Sequence, residues 1–173
     1  MKCRERLEQY LNDNGVNFHV YHHPVAYTAQ AVAEREHIPN QLVAKVVVVV
    51  ADGEMVMLAL PASHRVDLVK VSDMLSAREV RLATENELAE AFPDCELGAM
   101  PPFGNLYQMP VFVDQTLTTD PIIFIQPGEH TTALSLPFAD FARLVNPTIS
   151  SFIAEHRREV AAPHNDIKEM GAW

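Results

Sequence analysis

Cysteine is scarce: Cys3 and Cys95 are the only two in 173 residues. They are too few for a disulfide scaffold and lie in no C-x-x-C pattern, so free thiols in a reducing cytoplasm are the expectation. Long apolar runs are scarce as well. The most hydrophobic stretch, Val46 to Ala51 with its flanks, falls far short of the roughly 20 residues a membrane helix needs. No apolar signal core follows Met1-Lys2-Cys3-Arg4-Glu5, so nothing in the sequence reads as an export signal. Positive charge is in deficit, with 13 Lys and Arg against 23 Asp and Glu and a formal net charge of -10. That balance counts against tracking an extended phosphate backbone, which releases counterions through a basic surplus. A grip on a few nucleotides needs less, and Arg65, Lys70, Arg78 and Arg81 could supply it. Asp67, Asp73 and Glu79 interleave with them, a mixture that also fits a solvated face. No G-x-S-x-G, phosphate-binding glycine loop or dinucleotide fingerprint occurs, so the large enzyme classes those motifs mark are not signalled.

What the chain does have is 48% hydrophobic and 21% charged residues, enough to bury one sizeable core in a single globular domain. Leu7, Tyr10 and Leu11 recur at helical spacing, and Asn14-Gly15 offers the left-handed residue that stops a helix. Val16, Phe18 and Val20 alternate with polar residues as in a half-buried strand interrupted at His23-Pro24. Thr28 can cap a helix to about Arg35. From Leu42 to Ala51 both faces are apolar apart from Lys45, and Asp52-Gly53 predicts a tight hairpin into Met55–Leu60. Asp67 can cap a helix to about Leu75, Val80 to Ala83 reads as a strand, and Thr84-Glu-Asn-Glu87 is a capping box for a helix ended by Pro93. Pro110–Asp114, Ile122–Gln126 and Thr132–Leu136 read as strands, and Phe138–Val145 as a helix closed by Asn146-Pro147. Hairpins mixed with helices predict an α/β or α+β domain around a mixed sheet over residues 1–147. Residues 148–173 then read as a helix from Ile149 to about Glu159 and a tail that is either a loose end or a linker to a further region of a longer protein.

Four features could carry chemistry. Lys45 interrupts Leu42-Val-Ala-Lys-Val-Val-Val-Val-Val50, and a lysine in such a strand needs satisfaction. It either snorkels its ammonium out at the strand end or presents it to a phosphate or an ester carbonyl. Gly98-Ala-Met-Pro-Pro-Phe-Gly104 packs two prolines and two glycines into seven residues, so it must be a shaped turn. It either plugs the core with Phe103 or offers rigid backbone amides to a substrate. His19, His22 and His23 cluster, although on a strand His22 points away from the other two, leaving two metal ligands at most on one face. His130 is a lone histidine at a strand start, and Cys95 has no evident His or Asn partner to act as a nucleophile.

Taken in order, His23-Pro24, Thr28, Lys45 in its apolar strand, Leu60-Pro-Ala-Ser-His-Arg-Val-Asp-Leu68, Gly98-x-x-x-Pro102-Phe103-Gly104, Asp114 and Gly128-x-His130 resemble one pattern. It is that of the YbaK family and the inserted editing domain of bacterial prolyl-tRNA synthetases. The resemblance covers about residues 3 to 147 and departs at Val46, where many members carry a small hydroxyl residue. It implies a mixed, partly closed β-sheet flanked by helices and a cytoplasmic aminoacyl-tRNA deacylase working without a metal or organic cofactor. Its partner would be the acceptor end of an aminoacyl-tRNA, with no membrane involved and with a synthetase or a fused C-terminal domain as a further associate. Carried onto this chain, Lys45, Gly98 and Gly104 hold the catalytic positions, and Thr28, His64, Arg65, Pro102, Phe103 and His130 contact substrate. The Lys45 ammonium is then expected to face the Gly98–Gly104 loop across a shared cavity. Two rivals remain: a non-catalytic module that senses an aminoacyl or nucleotide ligand, and a metal hydrolase using His19 and His23.

Overall fold

A computed structural model describes residues 1–25, 28–35 and 38–155. Helix α1 (Cys3–Asp13) buries Cys3, Leu7 and Leu11 at four-residue intervals, the spacing that keeps one stripe facing the core. Gly15, at φ 69°, ends it in the left-handed conformation. Strand β1 (His19–His22) follows. It starts later than the alternation from Val16 suggests, because Val16 is instead buried in the main core with Leu7 and Leu11. Helix α2 (Ala29–Arg35) is capped as expected: the Thr28 hydroxyl accepts from the Ala31 amide at 3.0 Å.

Strands β2 (Ala44–Ala51) and β3 (Glu54–Pro61) form the hairpin, with Asp52 at φ 47° and Gly53 at φ 85°. Two positive φ angles in a two-residue turn match the right-handed twist of the flanking strands. Helix α3 (Leu68–Leu75) starts on Asp67, whose carboxylate accepts from the amides of Val69 and Lys70. Strand β4 (Val80–Leu82) leads to α4 (Glu85–Ala91), opened by the reciprocal Thr84–Glu87 capping box. Strands β5 (Val111–Asp114), β6 (Ile122–Ile125) and β7 (Thr132–Pro137), helix α5 (Phe138–Val145) and strand β8 (Thr148–Ser150) complete the described chain.

The strands make two sheets, one of five in the order β4-β2-β3-β5-β8 and one of three in the order β1-β7-β6. The first is mixed: β4, β2 and β3 pair antiparallel, while β3–β5 and β5–β8 pair parallel. This is the α/β architecture the sequence predicts, but the sheet stays open instead of partly closing. The two sheets meet through one parallel bridge, Val43 to Phe124. From Val49 onward β2 takes β4 as its neighbour, so that part of the edge is not open to β6.

Alternation along β2 divides the interior. Ala44, Val46 and Val48 enter the main core with Leu11, Met57, Ala59, Phe103, Leu134 and Phe141. Val47, Val49 and Ala51 enter a second core with Leu58, Leu60, Val71 and Phe152. Coverage on both faces explains the continuous apolar run of this strand.

Two further expectations fail. The helix predicted from Ile149 is strand β8, with Ile149 opposite Val113, and Ile153 bridges Val66. Asn146 caps α5 in the left-handed conformation at φ 50°, and the open edge of β5 offers the next residues a ladder of hydrogen bonds. Phe152 is fully buried, and its amide donates to the Asp114 carboxylate at 3.0 Å. The later part of the predicted helix, and the tail, lie outside the described residues. The cysteines are not free thiols either: Cys3 and Cys95 form a disulfide across 92 residues, with Cα atoms 5.0 Å apart. The first turn of α1 and the segment after α4 are brought together only by the fold, which cysteine spacing could not reveal.

Candidate functional site

Lys45 is the second residue of β2 and stands opposite Leu60. By alternation its side chain leaves the sheet on the side of Val43, Val47 and Val49. Partial burial, and then the Arg65 charge, hold its ammonium below the ordinary lysine pKa. Both causes disfavour the charged form, so an anion beside it would relieve the cost.

The position is topologically special. The Val43–Phe124 bridge binds β2 to β6 at one end, and β4 pairs with β2 only from Val49. Among the described residues no strand flanks β2 on that edge in between, so Lys45 sits where the two sheets diverge. Two residues on from the bridge, on the β6 side, stands Gln126. It is 5% exposed, and its buried side-chain nitrogen has no partner among the described residues. The sequence reading missed it; a polar residue directly after Ile122-Ile-Phe-Ile125 was the available signal.

The same end of the hairpin carries His64 and Arg65. The chain turns there through hydrogen bonds from Ala62 N to Val43 O, 2.8 Å, and from His64 N to Pro61 O, 3.0 Å. Helix α2 packs Ala29 and Ala33 on Val43 and Ala62, placing Thr28 at the start of the helix that covers this side. The Thr28 hydroxyl is engaged as the helix cap. Lys70, further on, donates to the Ile153 carbonyl at 3.0 Å, so it secures the strand-like C-terminal segment.

The proline and glycine loop is organised differently. Gly98 takes φ 85° and is exposed, while 99–104 are buried. Phe103 is fully buried and packs edge-on against Tyr10 and Phe141, with centroids 6.3 and 5.4 Å away. Pro102 is buried beside it. Gly104 is required by space, since a Cβ there would come within 2.6 Å of the Met109 carbonyl oxygen and of Val111 Cγ2. For Phe103 and Gly104 the core-plugging role is therefore what the geometry displays.

His130 belongs with the approach to this loop. It is 7% exposed, its amide donates to the Glu96 carboxylate at 2.9 Å, and its Nε2 lies 2.7 Å from the Leu97 carbonyl. A carbonyl can only accept, so Nε2 carries the proton. Glu96 N in turn donates to Gly128 O at 2.9 Å. Asp114, fully buried, accepts from the Thr116 and Phe152 amides and the Thr116 hydroxyl, a structural knot between β5 and β8.

The structure thus gathers the predicted residues into two groups. Lys45, Thr28, His64 and Arg65 occupy one end of the β2–β3 hairpin; Gly98, Pro102, Phe103, Gly104 and His130 cluster around the loop. The buried loop side chains, Met100 and Phe103, lie in the main core, on the opposite face of β2 from Lys45. A direct confrontation between the ammonium and those side chains is not what the strand alternation gives. His19 and His22 are exposed, and the His23 ring contacts the Pro24 carbonyl. Among the described residues, the one group with metal-ligand spacing is Cys3, Asp94 and Cys95, whose sulfurs are joined to each other.

The chain is thus a small α/β domain with an open mixed sheet and a half-buried cation where its two sheets diverge. The sequence profile described as the aminoacyl-tRNA editing domain matches residues 23–144, and the chain belongs to that family, the YbaK type. The proline–tRNA ligase of Acidithiobacillus ferrooxidans is 35% identical over 91 residues, 53% of this chain and 16% of the ligase. That of Halalkalibacterium halodurans is 34% identical over 77 residues, 44% and 13% respectively. The chain therefore aligns with only a small part of those ligases. Among solved structures, a candidate trans-editing enzyme for prolyl-tRNA synthetase superposes with a TM-score of 0.79 at 19% identity, covering 90% of this chain and 99% of that one. A hypothetical protein superposes at 0.78 with 16% identity, covering 86% and 99%. No helix among the described residues is long and apolar enough to cross a membrane.

Proposed function

We propose that this chain is a cytoplasmic trans-editing deacylase that hydrolyses the ester of a mischarged aminoacyl-tRNA, serving a proline-specific or related synthetase. The observation that carries the reading is the editing-domain match over residues 23–144, within which Lys45 stands half-buried where the sheets part. Such an activity answers a physical limit. A synthetase pocket separates side chains differing by one methylene by only about 1–3 kcal/mol, so a second site must remove the errors.

In this reading Lys45 and Arg65 receive a phosphate of the acceptor end, which offsets the burial and mutual repulsion that depress the lysine. Thr28 and His64 border the same place. The Gly98 end of the loop and His130 lie toward the aminoacyl group and the attacking water. These side chains supply no strong general base, so proximity, oriented backbone dipoles and a ribose hydroxyl of the tRNA itself do most of the work. No metal or organic cofactor enters the proposal. The negative net charge fits a grip limited to the end of the tRNA.

The test is a deacylation screen of the purified chain against a panel of mischarged tRNAs. Turnover of at least one, above the spontaneous rate, is expected. Ligand-induced thermal stabilisation without hydrolysis of any member would replace this reading with a non-catalytic binding module.

A further inference from the structure

Away from those residues, Cys3 and Cys95 form a second chemical site. Cys3 is the first residue of α1 and is buried; Cys95 is half-buried. Both residues help line a surface cavity of about 220 Å³, together with Arg4, Asp94, Glu96 and Gly128. The Tyr107 hydroxyl lies 3.3 Å from Cys3 Sγ and 3.1 Å from Cys95 Sγ and donates to Asp94 at 3.0 Å. Gly128 presses on the Cys3 sulfur so closely that a Cβ there would collide with it. From this junction the hydrogen bonds run to His130: Cys95 adjoins Glu96, whose amide holds Gly128 O and whose carboxylate holds the His130 amide, and Leu97 O accepts from the His130 ring.

We propose that Cys3–Cys95 is a thiol–disulfide exchange site, opened by a dithiol reductant, whose state sets how firmly the segments 94–98 and 128–130 are held. A thiolate of the reductant enters through the cavity and attacks Sγ of Cys95, the more exposed residue of the pair. The new S–S bond forms as the Cys3–Cys95 bond breaks, and the electron pair leaves on Cys3. That thiolate sits in the first turn of an 11-residue helix, where the positive end of the helix dipole favours it as a leaving group. The second thiol of the reductant, deprotonated, then attacks the mixed disulfide. It expels Cys95, which takes up a proton beside the Asp94 carboxylate, 3.8 Å away. The reductant ends as its own disulfide, two electrons having passed to the protein. With the link cut, α1 no longer anchors residue 95 covalently, and the hold on Glu96, Gly128 and His130 rests on hydrogen bonds alone. Only the effect on turnover depends on the editing reading; the exchange chemistry and the loosening do not.

The test is alkylation read by mass spectrometry, together with amide hydrogen exchange, on the full chain before and after a dithiol reductant. The expected result is no alkylated cysteine in the air-oxidised protein, two after reduction, and exchange faster by tenfold or more at 94–98 and 128–130. A Cys3→Ser/Cys95→Ser variant should show the fast pattern regardless of reductant. Two alkylated cysteines in the air-oxidised protein, or unchanged exchange at both segments after complete reduction, would overturn the proposal. If the double variant does not fold, the wild-type comparison still decides. Reductant-dependent exchange in a protein that deacylates nothing supports this proposal and removes the editing reading instead.

Discussion

Gly104 holds a catalytic loop position by family resemblance, and the close contacts around it make it a packing position whose replacement has a calculable cost. An alanine Cβ would stand 2.6 Å from both the Met109 carbonyl oxygen and Val111 Cγ2. Neither neighbour yields easily: one is backbone whose own amide, Met109 N, donates to the Gly104 carbonyl at 2.9 Å, and the other is a buried β-branched side chain on β5. Overpacking of this kind costs about 1–3 kcal/mol. Alanine also restricts the unfolded chain, which returns about 0.4–1 kcal/mol where the native backbone is allowed. The overpacking wins, leaving a net loss of roughly 1–2 kcal/mol. In a chain of this size that lowers the melting midpoint by about 2–8 °C. Differential scanning calorimetry of Gly104→Ala beside wild type reads the shift. A variant as stable as wild type, or more so, would refute the close approach on which the loop's shape depends.

Phe152→Ala should cost about 3–5 kcal/mol, the usual loss for emptying a buried phenylalanine site, and denaturant melts measure it; a loss below 1 kcal/mol would mean that the segment after β8 is not part of the core. The Arg81 side chain bonds Glu87 and holds its carboxyl down at about 2, with help from the Thr84 backbone. A depressed carboxyl contributes stability above its unfolded value of 4.5 that is lost as pH falls toward 2, so the stability gap between wild type and Arg81→Ala should narrow over that window. Melting curves at several acidic pH values check this. Reducing the Cys3–Cys95 link, which closes a loop of 92 residues, should lower the unfolding free energy by about 4–5 kcal/mol on the chain-entropy account; urea melts with and without reductant measure it.

Local chemistry was legible wherever one stretch of chain decided it. The Asp52-Gly53 hairpin, the Asp67 and Thr84 caps and helix Phe138–Val145 all rest on neighbours within a few residues. What escaped the sequence depends on partners far along the chain. Ile149 reads as helix on its own, yet the vacant edge of β5 draws it into a strand. Cys3 and Cys95 meet only because α1 packs against the turn after α4. Gln126 shows its interest through burial alone. At the site, the order of motifs was visible, but strand alternation determines which side each residue faces. It sets Lys45 with the α2 side and Phe103 in the opposite core.

If Lys45 receives an anionic substrate as proposed, it occupies a costly place for that purpose. The most direct measurement is turnover of a mischarged tRNA by Lys45→Met, paired with its melting midpoint at neutral pH. Burial and Arg65 depress the lysine, so between its folded and ordinary pKa the unfolded chain binds more protons and stability climbs with pH. Below that window the charge is a burden, and an uncharged methionine removes it. The expected result is a midpoint equal to or above wild type with hydrolysis reduced at least about a hundredfold; wild-type turnover in the folded variant would rule out the role proposed for Lys45.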